Sequence, residues 1–161
     1  LTAGSNLNRA GLLVGDQIAL ARQEAVSKNR EVQLVFYNMT NGTTTGWRAM
    51  NILRIEQTSS GKTTKAVSRI VQLPENVIIS SSTSLSPMLA AGTTGTTNIP
   101  TLGNVQYSAI RFRPNGALVS GFGTANSTLT LQNATAQGEP PPNYYTIQVN
   151  PLTGRVSVYR P

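Results

Sequence analysis

The chain has 161 residues, 13 basic and 6 acidic, for a net charge of +7, and contains neither cysteine nor histidine. Those two absences remove disulfide frameworks, thiolate metal sites, imidazole bases and the Ser-His and Cys-His nucleophile pairs. The acidic residues Asp16, Glu24, Glu31, Glu56, Glu75 and Glu139 are scattered singly, so no carboxylate dyad or hard-cation cage is encoded locally. No enzyme and no cofactor are expected, and the basic excess favours anionic surroundings instead.

The first element is a helix expected over residues 5–30. Leu7, Gly11, Val14, Ile18, Ala21 and Ala25 follow a four-three spacing that makes one seam along one face. Arg9, Asp16, Arg22, Gln23 and Lys28 fall off the seam. At 1.5 Å per residue such a helix runs about 37 Å, longer than a small domain needs, so its N-terminal end is expected to project. The small residues Ala21 and Ala25 mark the end expected to pack on a sheet. Gly11 and Gly15 each cost about 1 kcal/mol of helix propensity and read as local softness.

From Glu31 the period becomes two, with "VQLVFY" as a strand and "NMTNGTTTG" as a turn-rich boundary. Further strands are expected at Trp47 to Gln57, Lys65 to Leu73, Asn76 to Ser80, Val105 to Arg113, Thr128 to Gln132, Tyr144 to Asn150 and Arg155 to Arg160. One helix followed by many short strands defines an α+β class. "SSGKTT" lacks the upstream glycine of a phosphate-binding loop and reads as a hairpin turn, as does "NPLTG". Residues 80–104, poor in charge and rich in Ser, Thr and Gly, are expected as a long mobile loop or a contact surface, and "GEPPPN" as a stiff connector.

Two segments place cations on strands. In "AIRFRPNGAL", alternation sets Ile110 and Phe112 against Arg111 and Arg113, with "PNG" as the turn. In "TGRVSVYRP", Val156 and Val158 are expected inward and Arg155, Ser157 and Tyr159 outward, with Arg160 nominally inward. Arg155, Arg160, Arg111 and Arg113 are the candidate polyanion-binding residues. Leu7, Val14, Ile18, Ala21 and Ala25 are the candidate helix packing and assembly seam.

The order of "ALARQEAVSKNREVQLVF", Trp47 after a glycine, "LPENVII", "IRFRPNGAL" and the terminal "TGRVSVYRP" resembles the minor pseudopilin H and FimT-type minor pilin family. The resemblance covers Leu7 to Arg160, with residues 80–104 and "GEPPPN" as departures. It implies a single pilin-like domain over residues 1–161, with a long N-terminal α-helix packed on antiparallel β-sheet. It implies a non-catalytic subunit of a type IV pilus-like or type II secretion-like filament in the cell envelope. An apolar helical half preceding this one, released from a leader by a prepilin peptidase, would anchor it in the inner membrane, leaving the β-rich part in the periplasm or on the filament. The partners so implied are other pilin or pseudopilin subunits. Some FimT-type members bind DNA through a C-terminal Gly-Arg-x-Arg segment, of which Gly154-Arg155-Val156-Ser157 matches the first two residues, so DNA is the alternative partner.

Overall fold

The computed structural model describes residues 2–119 and 121–161; Leu1 and Ser120 lie outside them. Helix α1 (Thr2–Lys28) begins before the expected Ser5 and stops short of Arg30. The stop is local: Asn29 takes φ +52, and the Arg30 N–H donates to the Ala25 carbonyl at 3.2 Å, the six-to-one bond that closes helices on a left-handed residue. Only three residues then separate α1 from β1 (Val32–Asn41), so the helix folds straight back onto the sheet it feeds.

The remaining elements are β2 (Thr44–Thr58), β3 (Gly61–Ala66), β4 (Val71–Gln72), β5 (Val77–Ile79), α2 (Pro87–Ala91), β6 (Thr93–Ile99), β7 (Gly103–Phe112), β8 (Thr128–Asn133), β9 (Tyr144–Val149) and β10 (Val156–Tyr159). All pairings are antiparallel. The ten strands form one sheet in the order β10-β9-β8-β5-β2-β1-β7-β6, with β3 and β4 pairing β2. This is an α+β, pilin-like architecture: one long N-terminal helix on an antiparallel sheet. "SSGKTT" forms the β2–β3 hairpin, with Thr58 opposite Gly61.

The helix covers one face. Leu7, Ala10, Val14, Ile18, Ala21 and Ala25 are buried with Leu34, Phe36, Met50, Ile110 and Ile147 in one cluster. On β1 the alternate residues Val35, Tyr37 and Met39 enter a second cluster on the opposite face, with Ala49, Val105 and Ala109. The central strand thus buries side chains on both faces, which is why Leu34 to Tyr37 run apolar without alternation.

Several expectations are corrected. The N-terminal end of the helix does not project: Leu7 is 2% exposed and Ala10 fully buried. A Cβ on Gly11 would lie 2.4 Å from the Tyr145 ring, so this glycine serves close packing rather than softness. Most of "NMTNGTTTG" is strand, with the turn confined to Gly42 and Thr43 between the paired Asn41 and Thr44. The Lys65 to Leu73 strand is divided between the end of β3 and the two-residue β4.

Residues 80–104, expected as a long loop, hold α2 and β6. The serines that suggested mobility are anchors. The Ser86 hydroxyl accepts from the Thr130 N–H at 3.0 Å; from outside the segment, Ser108 Oγ on β7 donates to the Leu89 carbonyl at 2.6 Å, and Met88 and Leu89 are buried. Ser82 and Ser84 donate to the Glu139 carboxylate, tying this segment to "GEPPPN". Val158, expected inward, is 56% exposed, on the strand that ends the sheet.

Candidate assembly face and basic surface

The seam Leu7, Val14, Ile18, Ala21 and Ala25 is wholly buried in the chain's own core, so these five dock the helix on its sheet. Docking is reinforced by ions. Arg54 on β2 donates to Glu24 of α1 at 2.9 Å and to Glu56 at 3.3 Å. The hydrogen bond that it donates to Glu24, and then the one to Glu56, hold the Arg54 guanidinium above its ordinary pKa.

What α1 offers outward is a different row. Leu12 is 62%, Leu20 45% and Val26 47% exposed; Leu12 and Val26 lie with Asp16, Ala19 and Gln23 on a second four-three line on the far side of the helix, and Leu20 flanks it. The strength of the inner seam hid this row in the sequence. Its signal was the apolar residues at 12, 19, 20 and 26 that the seam did not absorb. Leu12, Leu20 and Val26 are apolar area on this side of the helix that a second surface could cover.

The four candidate cations are divided by the fold. Arg113 sits on the β7 turn and Arg155 on the β9–β10 turn, and these turns pack on each other: the Leu118 N–H donates to the Pro151 carbonyl at 2.9 Å. Gly154, at φ +74, leaves no room for a Cβ, which would lie 2.0 Å from the Gly116 carbonyl oxygen. Arg22 of α1 reaches into this junction, its Nε donating to the Thr153 carbonyl at 2.6 Å. Arg22, Arg113 and Arg155 therefore belong to one region, and Arg22 is a residue sequence reasoning left out.

Arg111 is instead paired with Glu31 at 3.5 Å. Arg160 lies at the other end of β10, where its Nε donates to Asn8 of α1 at 2.9 Å and its Nη1 to Asn143 and to the Tyr144 carbonyl. It ties the end of the chain to the start of the helix. A further buried cation, Arg48, stands opposite no β1 residue where the register shifts; it donates to Thr44 Oγ1 at 2.7 Å, and burial pushes its pKa down.

A long N-terminal helix with one face docked on an antiparallel sheet and the other open, carrying Leu12, Leu20 and Val26 among polar residues, defines a pilin-like fold. The family model for type II transport protein GspH matches residues 14–153, and the chain belongs to that family. Solved structures similar to it include the type IV minor pilin FimU of Pseudomonas aeruginosa, 16% identical with a TM-score of 0.51 over 96% of this chain and 89% of that one. The minor pseudopilin EpsH of the Vibrio cholerae type 2 secretion system is 11% identical, also with a TM-score of 0.51, over 97% of this chain and 98% of that one. At such identities the likeness concerns the fold. No curated protein matches the chain. Among the described residues no helix is long and apolar enough to cross a membrane.

Proposed function

We propose that this chain is a non-catalytic structural subunit, a minor pilin or pseudopilin, of a type IV pilus-like or type II secretion-like filament in the cell envelope. An apolar helical half continuous with α1 would anchor it in the inner membrane before assembly, with the sheet domain in the periplasm and later on the filament. The observation that carries this reading is the exposed row Leu12, Leu20 and Val26 on a helix whose inner seam is already filled. Neighbouring helices stacked along that row would remove its apolar area from water, at about 25 cal/mol per Å².

The absence of cysteine from the chain gives a clean test. Single Leu12→Cys and Leu20→Cys variants of the full-length subunit should cross-link to other filament subunits in cells, while a cysteine at the exposed Gln57 should not. Cross-linking at position 57 alone would reject the assembly face.

The packed turns bearing Arg113 and Arg155, beside Arg22, support DNA binding as the second reading. Binding of this kind is indifferent to base sequence and weakens with salt at a slope of about −0.9 per phosphate contacted. Changing Arg113 and Arg155 together to Gln should flatten that slope by up to about 2, whereas Arg160→Gln should leave it unchanged. Salt-insensitive retention of DNA, or none near physiological salt, would reject this reading.

A further inference from the structure

We infer that the free edge of β6, together with the trough beside it, takes an extended, uncharged segment of another subunit, which adds to the sheet as a further strand. The inference rests on the filament reading and names one contact within it. Strand β6 ends the sheet, and all seven of its residues pair with β7 in unbroken register, so its other edge carries a row of backbone N–H and C=O groups with no strand to meet them. Proteins ordinarily blunt such edges with lysine, proline, a bulge or shortness.

This chain does so at its other open edges but not here. Strand β3 carries Lys62 and Lys65, and β10 is only four residues long and is flanked by Arg155 and Arg160. Strand β6, "TTGTTNI", has no charge, no proline and no bulge. It lies in a stretch with no acidic or basic residue between Glu75 and Arg111.

Beside β6 a trough of about 550 Å³ opens on the sheet face away from α1, with Val35, Tyr37, Leu53 and Tyr107 in its lining and Thr97 and Ile99 of β6 along one wall. An added strand would bond to the β6 main chain and direct alternate side chains over the trough, the mode by which sheet edges recognise extended peptides. The chemistry of the occupant follows from the charges. Arg111, the one charged residue in the trough's lining, lies beyond the Thr93 end of the β6–β7 ladder and is already paired with Glu31; along β6 itself a charged side chain would find no counter-ion and would lose its water, so the segment that pairs there is uncharged, with β-branched or small residues facing the trough. A second copy of this chain is disfavoured because each copy carries +7.

The test uses this chain and the globular parts of the other subunits of the same filament, mixed pairwise, with amide hydrogen exchange read on residues 93–99. One subunit should slow exchange in β6, and the exposed pair Thr94→Lys and Thr96→Lys should weaken that complex at least tenfold without lowering Tm. The same two charges placed on the β2–β3 hairpin, by Gln57→Lys and Thr63→Lys, should leave it intact.

The inference is overturned by a complex that leaves β6 exchange unchanged, by equal weakening from both lysine pairs, or by no subunit slowing β6 at all. Protection that rises with this chain's own concentration and no partner would make the occupant a second copy and overturn the choice made here. Cross-linking through Leu12 and Leu20 is independent of β6, so its persistence separates failure of this contact from failure of the filament reading.

Discussion

Phe36 and Val35 are neighbours on β1 and meet different surroundings. Phe36 is fully buried beneath α1, in the cluster that also takes the whole helix seam and residues from β2, β5, β7, β8 and β9. Val35 faces the other way, into the smaller cluster with Tyr37, Met39, Ala49, Val105 and Ala109, whose partly buried neighbours Leu53, Ile99 and Tyr107 border the trough. One face is closed by the chain's own helix; the other is floored but not roofed. The first face should therefore carry most of the folding free energy, while the second has surface left for a partner.

The largest effect that would break this contrast is truncation at the two neighbours. Phe36→Ala leaves a cavity under the helix and should cost about 3 to 5 kcal/mol. Val35→Ala removes two carbons from a face that opens on the trough and should cost about 1 to 2 kcal/mol. Urea denaturation of both variants measures the difference. Equal losses would show that the outer face is as closed as the inner one.

Gly11 and Gly15 sharpen the comparison within the helix itself, because they share a cost in propensity and differ only in what lies opposite. At Gly11 an added methyl meets the buried Tyr145 ring at 2.4 Å, whereas at Gly15 the nearest atom is a Val156 methyl at 3.9 Å. Gly11→Ala should overpack by about 1 to 3 kcal/mol, against which the helix gains about 1 kcal/mol of propensity. Gly15→Ala should simply stabilise, by up to about 1 kcal/mol. Thermal melts of the pair should move in opposite directions. Two upward shifts would mean that α1 is not seated on β9 as described.

These examples also mark where the sequence was legible. The helix seam, the switch of period at Glu31 and most strands could be read because a buried side leaves a periodic apolar trace. Strand β6 could not, since a strand exposed along its length has no apolar alternation to show, and "TTGTTNI" resembles loop composition. The serines of residues 80–86 misled for a related reason: composition cannot tell a hydroxyl facing water from one bonded to Thr130. The polyanion candidates were chosen by local alternation and, for Arg155, by the Gly-Arg resemblance. Alternation could not reveal that Arg160 turns back to Asn8 or that Arg22, far away in sequence, joins the turn of Arg155.

The smallest effect concerns how dry the outer face is. The Tyr37 hydroxyl donates to Asn51 Oδ1 at 2.8 Å, both residues are buried, and burial raises the Tyr37 pKa. A tyrosine raised in the folded state holds its proton there after the unfolded chain has released its own. Stability is therefore unaffected by this group below about pH 10, the unfolded value, and falls as pH rises beyond it. Tyr37→Phe should cost about 1 kcal/mol at neutral pH through the lost hydrogen bond, and its stability should fall less steeply than the parent's above pH 10. If instead the trough lets water reach the phenol, the hydrogen bond is readily replaced and the two pH profiles should run parallel. Parallel profiles would mean that the floor of the outer face is wet, and that an added strand would have to displace that water before its side chains could seat.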